Sequence, residues 1–229
     1  MTDCGVAKIR AVLFDLDGTL VDTAPDMVAA LAGMQEDRNQ QVLPYSQVRS
    51  HVSNGAAGLV RLAFPDVSET DAAALKAEFL ERYEQAVCVN SSVFPELNGL
   101  LDTLDSQGLP WGVVTNKPMR MTTPVMAGLG LDARAACAVS GDTLPERKPH
   151  PAPLLLASRE IGVRPEDIVY VGDASRDIEA GRAAGMSTIA VCYGYIPDEE
   201  DPRDWGADLV ALDGLQLTNL LLKGVTLAP

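Results

Sequence analysis

The nonapeptide Asp15-Leu16-Asp17-Gly18-Thr19-Leu20-Val21-Asp22-Thr23 directly follows the largely apolar run at residues 9–14. That run predicts a buried strand, and side chains alternate between the two faces of a strand. Asp15 and Asp17 are therefore expected to emerge together at the end of the strand, while the leucine between them points back into the core. The sequence thus places two carboxylates side by side at one edge of the fold.

Two carboxylates held this close cannot both stay ionised cheaply, so either one keeps its proton or a cation joins them. Both outcomes suit chemistry on phosphate. An ionised Asp beside Mg²⁺ can attack phosphorus, and a partner Asp that keeps its proton can give it to the leaving oxygen. A lone Asp-Gly pair is more often only a turn after a buried strand. Here the same turn also carries Thr19 and Asp22, which favours a functional site.

The composition is that of a globular enzyme. The chain has 229 residues, enough for one α/β domain of about 150 residues plus a smaller one. Hydrophobic residues make up 47% and charged residues 22%, which excludes a disordered chain. The net charge of −14 argues against a nucleic-acid surface, which needs clustered Lys and Arg. An anionic substrate must therefore meet a local positive site.

Cysteines and apolar runs exclude further classes. Four scattered cysteines without a CxxC pair indicate neither a zinc site nor a disulfide framework. No run of about 18 apolar residues and no signal-like N-terminus is present, so we expect a cytoplasmic protein with no membrane partner.

The apolar runs along the chain predict a parallel sheet wrapped by helices. Helical stretches lie between most of the expected strands, and this alternation is typical of an α/β, doubly wound fold. Ligands bind beyond the carboxyl ends of the strands in such folds. Asp15, Thr115 and Asp173 all fall at such ends. The expected strands are residues 11–14, 111–115, 137–140, 168–172 and 188–192.

Between about residues 25 and 90 the pattern becomes all-helical. Apolar positions recur every three or four residues in 24–35, 56–64 and 71–87, and no buried strand is expected there. Such an insertion directly after the first strand can close over a site and exclude water that competes with the substrate. A helical hairpin that only packs explains the pattern equally well.

Three further segments carry polar side chains at or near expected strand ends. Thr115 and Asn116 can donate hydrogen bonds to phosphate oxygens, although Thr-Asn at a strand end is more often a turn or a helix cap. Lys148 offers a cation just before a proline, although an isolated Lys is usually a solvated surface charge. Asp173 and Asp177, at the start of a helix, can hold Mg²⁺ through oxygen atoms or can cap the helix and favour its dipole.

The opening nonapeptide resembles the first motif of the haloacid dehalogenase (HAD) superfamily, whose phosphatases begin with this DxDGT signature. The three further segments are similar to the second, third and fourth motifs, in the family's order, and the resemblance covers about residues 11–210. It implies a subfamily IA protein with a doubly wound, Rossmann-like core at residues 1–22 and 91–229. An all-helical C1 cap, residues 23–90, would be inserted after the first strand.

The resemblance implies a mechanism through an aspartyl-phosphate. Asp15 would attack the phosphoryl group, while Asp17 would protonate the departing alkoxide and later activate water. Mg²⁺ would be held by Asp15, by Asp173 and by the backbone carbonyl of Asp17, with Asp177 in support. The metal and the phosphate-binding groups would spread the charge that builds on the phosphoryl oxygens. The implied phosphate-binding residues are Thr115, Asn116 and Lys148.

Within the family, an acid at Asp17 separates phosphatases from haloacid dehalogenases, and Thr19 favours phosphatases over sugar phosphomutases, which usually carry Val. The chain is similar to phosphoglycolate phosphatases and to N-acetylmuramic acid 6-phosphate phosphatases, and residues 111–118, 193–196 and 202–208 look more like the second group. Both substrates pair a phosphate monoester with a carboxylate. We expect a small phosphorylated metabolite of the phosphoglycolate type, with the sugar phosphate as the alternative.

The triplet Ser53-Asn54-Gly55 lies between two expected helices of the insertion and looks like the family's specificity loop. A bare helix-helix turn explains the triplet equally well. Arg49, His51 and Arg61 flank it, and one of them could bind a substrate carboxylate. For His51, a surface position on a helix is the more common case.

Two other classes of protein share part of this pattern. A phospho-acceptor signalling domain also uses an Asp and Mg²⁺ on a doubly wound sheet, but it needs neither a helical insertion nor a second Asp as acid. A non-catalytic binding protein of the same fold has no need of the complete set of acids and Lys148. We therefore expect an enzyme that binds a small metabolite and no nucleic acid, as a monomer or a homodimer.

Overall fold

Eight strands and nine α-helices occur in the computed structural model, which describes residues 9–224 and the side chains of residues 9–222. The strands are β1 Ala11–Phe14, β2 Val21–Asp22, β3 Ser92–Val93, β4 Trp111–Val114, β5 Cys137–Val139, β6 Ile168–Gly172, β7 Ser187–Val191 and β8 Leu209–Ala211. The helices are α1 Ala24–Glu36, α2 Tyr45–Arg49, α3 Gly55–Ala63, α4 Glu69–Gln85, α5 Pro95–Ser106, α6 Met119–Gly128, α7 Ala152–Ile161, α8 Ser175–Ala183 and α9 Gly214–Gly224.

Six of the strands form one parallel sheet in the spatial order β5-β4-β1-β6-β7-β8. Every residue of β1 is fully buried, because the strand lies between β4 and β6. Ala11 and Leu13 pack in an apolar cluster with α7 and α8, whereas Val12 and Phe14 pack in another with α5 and α9. Helices thus cover both faces of the sheet. The predicted α/β, doubly wound fold is confirmed.

The strand order brings the polar segments together. The carboxyl ends of β1, β4 and β6 are neighbours in the middle of the sheet, and Asp15, Thr115 and Asp173 follow these three strands. Parallel pairing continues one step past β1, since the Asp15 amide donates to the Val171 carbonyl over 2.9 Å. Residues far apart in sequence therefore meet at one edge of the sheet, as expected for this fold.

The segment between β2 and β3 is helical, as its periodicity predicts. Helices α1 to α4 share an apolar cluster in which Leu31, Leu59 and Phe79 are fully buried. Met121 and Tyr195, from outside this segment, belong to the same cluster. Strands β2 and β3 pair antiparallel with each other, so the chain leaves the sheet region and returns to it along one short ribbon.

Asp26 ties the departing chain to the returning chain. This residue of α1 is 3% exposed, and its carboxylate accepts hydrogen bonds from the backbone amides of Val89, Asn90 and Ser91 at 2.8–3.0 Å. The Ser91 hydroxyl donates a further bond over 2.6 Å. The buried charge is thus satisfied entirely by donors of the returning segment and by the Asn90 side chain.

Two short elements were not predicted from the sequence. Strand β8, which the expected strands did not include, has only three residues, and its Leu209 is 48% exposed. Helix α2 has five residues with only Val48 buried, too few to show a helical period. The last helix, α9, begins at Gly214, and residues 225–229 lie outside the described part of the chain. No described helix has both the length and the apolar character needed to cross a membrane.

Candidate active site

Asp15 has one carboxylate oxygen held and the other open. The side chain lies just past the end of β1 and is 6% exposed. Its Oδ1 accepts hydrogen bonds from the Leu16 amide and from Lys148 Nζ, both over 2.8 Å. No hydrogen bond from a described residue reaches Oδ2. The carboxylate is therefore fixed in one orientation, with one oxygen left for a ligand.

Lys148 lies between two carboxylates. Its ammonium group is 2.8 Å from Oδ1 of Asp15 and 2.8 Å from Oδ1 of Asp177, and it also donates to the Val114 carbonyl and the Tyr170 hydroxyl. Burial lowers the pKa of Lys148, but the charges of Asp15 and Asp177 outweigh burial and raise it. Lys148 therefore stays a cation at neutral pH.

Asn116 and Thr115, at the end of β4, have different partners. The Asn116 side chain pairs with the backbone of Lys148, donating to its carbonyl over 3.0 Å and accepting from its amide over 3.1 Å. This amide is therefore engaged in holding Lys148, whereas the resemblance implied that it binds phosphate. The Thr115 hydroxyl accepts from the Lys117 amide over 3.1 Å and keeps its own proton for another acceptor. Both residues line the cavity described below.

Three buried carboxylates form a cluster. One oxygen each of Asp15, Asp173 and Asp177 lies within 4.8 Å of the other two. Burial, with the nearby charges of Asp15 and Asp177, raises the pKa of Asp173 to about 7. An all-oxygen donor set of this kind suits a hard divalent cation such as Mg²⁺. Asp177, which the resemblance gave only a supporting role, supplies the third carboxylate of the cluster, and the side chain of Asp17 has other partners.

The loops around Asp173 come from distant parts of the chain. Its carboxylate accepts hydrogen bonds from the Thr19 hydroxyl at 3.2 Å, the Ser53 hydroxyl at 3.0 Å and the Tyr195 amide at 2.8 Å. Gly18 has a φ of +83°, and a Cβ there would lie 2.2 Å from Oδ2 of Asp173. Only glycine allows this approach without a backbone shift. Gly18 therefore makes room for the carboxylate of Asp173.

Asp17 is bound to a lysine that sequence analysis did not single out. Its Oδ1 accepts from the Thr23 hydroxyl over 2.5 Å and from Lys117 Nζ over 2.9 Å. Lys117 also donates to the hydroxyl of Tyr83, on α4, over 2.8 Å. A signal was present, because side chains two residues apart share a side of an extended chain, and Lys117 follows Thr115 by two.

A cavity of about 600 Å³ separates the sheet edge from α3 and α4. Asp15 and Asp17 lie on one side of it, and Phe79, Leu80 and Tyr83 of α4 lie on the other. Four cations also line it, and Asp17 is the only described carboxylate that pairs with any of them, through Lys117. The lining cations are Lys76, Lys117, Arg147 and Arg176.

The triplet Ser53-Asn54-Gly55 lines the cavity, as expected. It spans the end of a 3-10 turn and the first residue of α3. The Ser53 carbonyl accepts a hydrogen bond from Arg176 over 2.8 Å. Together with the bond from Ser53 to Asp173, this contact fastens the triplet to the start of α8.

The three residues that flank the triplet, Arg49, His51 and Arg61, lie outside the cavity lining. Arg49 donates to the carbonyls of Gly194 and Tyr193 and stacks 4.9 Å from the ring centre of Tyr195. Arg61 pairs with Glu69 at the surface, and the His51 ring contacts the carbonyl of Gln47 in α2. None of these three residues is among those that line the cavity. The idea that one of them reads the substrate is therefore not supported.

Comparisons with known proteins agree with this geometry. Residues 9–185 match the model of the haloacid dehalogenase-like hydrolase family. The chain is 43% identical to an N-acetylmuramic acid 6-phosphate phosphatase of Pseudomonas putida, over 93% of this chain and 96% of that protein. It is also 43% identical to a phosphoglycolate phosphatase of Xanthomonas campestris, over 91% of this chain and 94% of that protein.

A solved structure shares the whole fold. The crystal structure of a predicted phosphoglycolate phosphatase from Haemophilus somnus superposes with a TM-score of 0.81 at 29% identity, over 93% of this chain and 98% of that one. The family match extends over most of the described residues, and both relatives align along nearly their full lengths. The chain belongs to the haloacid dehalogenase-like hydrolase family.

Proposed function

We propose that this protein is a phosphatase that hydrolyses a small phosphomonoester through an aspartyl-phosphate intermediate. The observation that carries the proposal is the state of Asp15, which lines the cavity: one oxygen is fixed by Lys148 and a backbone amide, and the other has no described donor. A carboxylate oriented in this way is suited to attack. The relatives at 43% identity are named as phosphatases.

In the proposed mechanism, Oδ2 of Asp15 attacks phosphorus, and the bond from phosphorus to the substrate oxygen breaks. The carboxyl group of Asp17 gives its proton to that oxygen and then takes a proton from the water that hydrolyses the intermediate. Lys148 offsets the negative charge beside the nucleophile, and the Thr115 hydroxyl donates to a phosphoryl oxygen. Asn116 contributes by holding the backbone of Lys148.

The acid cluster fits a divalent cation, and Mg²⁺ is the ion that we propose. Asp15, Asp173 and Asp177 offer oxygen ligands within reach of one another, and burial makes their joint ionisation unfavourable without added positive charge. When bound, Mg²⁺ supplies positive charge that offsets the charge of the phosphoryl group. The backbone carbonyl of Asp17 remains part of the proposed ligand set.

Residues 23–90 are proposed to act as a cap over this chemistry, with residues 1–22 and 91–229 as the catalytic core. Two contacts support the division: Ser53 bonds to Asp173, and Tyr83 of α4 bonds to Lys117. Apolar side chains of α4 line the cavity opposite Asp15. A cover of this kind excludes water, which competes with the substrate for the phosphoryl group. The triplet Ser53-Asn54-Gly55 is the proposed specificity loop.

For the substrate we propose a phosphomonoester that also carries a carboxylate, of the phosphoglycolate type. Four cavity cations in a chain of net charge −14 are suited to a ligand with more than one anionic group. The alternative is N-acetylmuramic acid 6-phosphate, and the cavity volume of about 600 Å³ favours it, since cavities of this size hold ligands much larger than glycolate. A cytoplasmic location and a monomeric or homodimeric state stay predictions.

The proposal is tested by assaying p-nitrophenyl phosphate, 2-phosphoglycolate and N-acetylmuramic acid 6-phosphate with Mg²⁺ and with EDTA. We expect turnover that EDTA abolishes, and the two metabolites compared by kcat/KM identify the substrate. In Asp15→Asn, turnover should fall to background while the circular dichroism spectrum is unchanged, because an amide oxygen is a poor nucleophile. Near-normal activity in Asp15→Asn, or a stable phosphoprotein without turnover, would refute the mechanism.

A further inference from the structure

Lys117 is a buried cation that the mechanism above does not use. It follows the end of β4 by three residues, and its side chain is 4% exposed. Its ammonium group donates to Oδ1 of Asp17 over 2.9 Å and to the Tyr83 hydroxyl over 2.8 Å. Apart from Asp17, no described carboxylate pairs with it. The one carboxylate that Lys117 contacts is therefore that of Asp17, the residue proposed to transfer protons.

We propose that Lys117 is a positioning residue that holds the carboxyl group of Asp17 in the orientation needed for proton transfer, and that Tyr83 holds Lys117 in place. This inference rests on the proposed function, because it concerns the acid of that reaction. It adds a residue of the fourth helix, α4, to the support of a group at the sheet edge.

The hydrogen bonds of Asp17 leave it a single favourable orientation. Oδ1 accepts from both Lys117 and the Thr23 hydroxyl, and no described donor reaches Oδ2. Because both donors reach the same oxygen, the carboxyl plane is held with one oxygen towards Lys117 and Thr23 and the other away from them. Oδ2 is thereby the oxygen left beside the cavity, which Asp17 lines. Proton transfer requires such an oxygen within hydrogen-bond reach of the leaving group.

Lys117 is itself held from several sides. Its backbone amide donates to the Thr115 hydroxyl over 3.1 Å, and its ammonium group lies 4.5 Å from the ring centre of Tyr83. Tyr83 is 1% exposed and stacks on Phe79 with ring centres 6.2 Å apart, so it is a rigid anchor. An ammonium buried in this way is costly unless it is paired. Its partners here are one carboxylate and one hydroxyl.

Lys117 is expected to be protonated although it is buried. The ammonium group is paired with the Asp17 carboxylate over 2.9 Å and donates to the Tyr83 hydroxyl, and an opposite charge this close favours the charged form of the lysine. A charged donor gives a shorter and stronger hydrogen bond than a neutral one. Lys117 thus restrains Asp17 more firmly than a neutral side chain of the same size.

The experiment compares two leaving groups in Lys117→Met. Departure of an alkoxide from ethyl phosphate needs the proton of Asp17, whereas p-nitrophenolate is stable enough to leave without it. Because kcat/KM reports the steps up to phosphoryl transfer, the loss in kcat/KM should be at least about tenfold larger for ethyl phosphate. Tyr83→Phe should shift the same ratio in the same direction by a smaller factor. Lys76→Met, which removes another cavity ammonium that does not touch Asp17, should leave the ratio unchanged.

Equal losses for both substrates in Lys117→Met would overturn the inference, because they would assign the lysine to phosphate binding or to general structure. An equal change of the ratio in Lys76→Met would also overturn it, since total charge would then be the cause. If Lys117→Met does not fold, Tyr83→Phe decides, and an unaltered ratio there refutes the proposal. Absence of turnover in the unmodified protein refutes the proposed function instead.

Discussion

Asp15 and Asp17 are separated by one residue but have different hydrogen-bond partners. These partners fit them to different roles in the proposed reaction. Oδ1 of Asp15 accepts hydrogen bonds from Lys148 and a backbone amide, and Asp15 belongs to the acid cluster. Oδ1 of Asp17 accepts hydrogen bonds from Lys117 and Thr23, and Asp17 lies outside that cluster. A charged nucleophile and a proton donor need such separate environments.

The burial of Asp173 predicts a dependence of stability on pH. Its pKa is raised from 3.8 to about 7 in the folded protein without metal. Between about pH 4 and pH 7 the folded chain therefore holds a proton that the unfolded chain has lost, so this residue makes the protein less stable as the pH rises. In EDTA, the difference in unfolding free energy, wild type minus Asp173→Asn, should fall between pH 5 and pH 7.5. Urea denaturation measures the unfolding free energy of each protein.

Asp173→Asn also loses hydrogen bonds, but that loss lowers its unfolding free energy by the same amount at every pH. Only the change with pH in the difference between the two proteins therefore reports the titration of Asp173. Added Mg²⁺ at pH 7.5 should stabilise the wild type more than the variant, since only the wild type offers three ionisable carboxylates to the ion. Unfolding free energies that run parallel with pH in the two proteins would contradict the assignment.

At the scale of elements, the ribbon of β2 and β3 and helix α1 hold the helical segment to the sheet domain. Asp26 stands near the start of α1, where a negative charge is also favoured by the helix dipole. Its carboxylate accepts hydrogen bonds from three backbone amides of the segment that leads to β3. The junction is thus closed by one side chain rather than by a long strand pair.

Asp26→Ala should lower the free energy of unfolding by about 3 kcal/mol, because several bonds to an ionised acceptor are lost and the buried Ser91 loses its partner. Asp37→Ala, at the other end of the same helix, removes an exposed ion pair with Arg82 and should cost less than about 1 kcal/mol. Urea denaturation monitored by circular dichroism compares the two. Equal losses would show that Asp26 has no special role at the junction.

At the scale of the whole molecule, charge is distributed unevenly. The chain has 32 acidic residues against 18 Lys and Arg, yet four cations converge on one cavity. Among described residues, no carboxylate pairs with Lys76, Arg147 or Arg176, whereas surface cations such as Arg61 are paired with acids. Cations left unpaired in so acidic a protein are available to an anionic ligand.

Arg147→Ala should raise KM for the carboxylate-bearing substrate about tenfold with a smaller effect on kcat, as expected when a cation binds the ground state and the transition state alike. Arg61→Ala is the matched control, because Arg61 is paired with Glu69 outside the cavity and should leave KM unchanged. Steady-state kinetics decides between them. A KM that rises only in Arg61→Ala would restore the interpretation based on nearness in sequence.

Sequence patterns predicted long elements and strand ends well. The strand that precedes Asp15 was predicted with the bounds that the structure shows, and the helix expected at 56–64 is Gly55–Ala63. Helix α2 was missed because its five residues are too few to show a helical period, and strand β8, of three residues, was missed as well. Ser53-Asn54-Gly55 lies at the cavity, whereas Arg49, His51 and Arg61, which flank it in sequence, are not among the lining residues.

By itself the sequence determined the parallel sheet, the helical insertion and the aspartates at the strand ends, because alternation and period depend only on local chain geometry. Only the tertiary structure decided that Asn116 holds Lys148, that Asp177 completes the acid cluster and that Lys117 contacts Asp17. These contacts join residues 32 to 162 positions apart, and no local pattern records which long side chain reaches which charge once strands and helices pack.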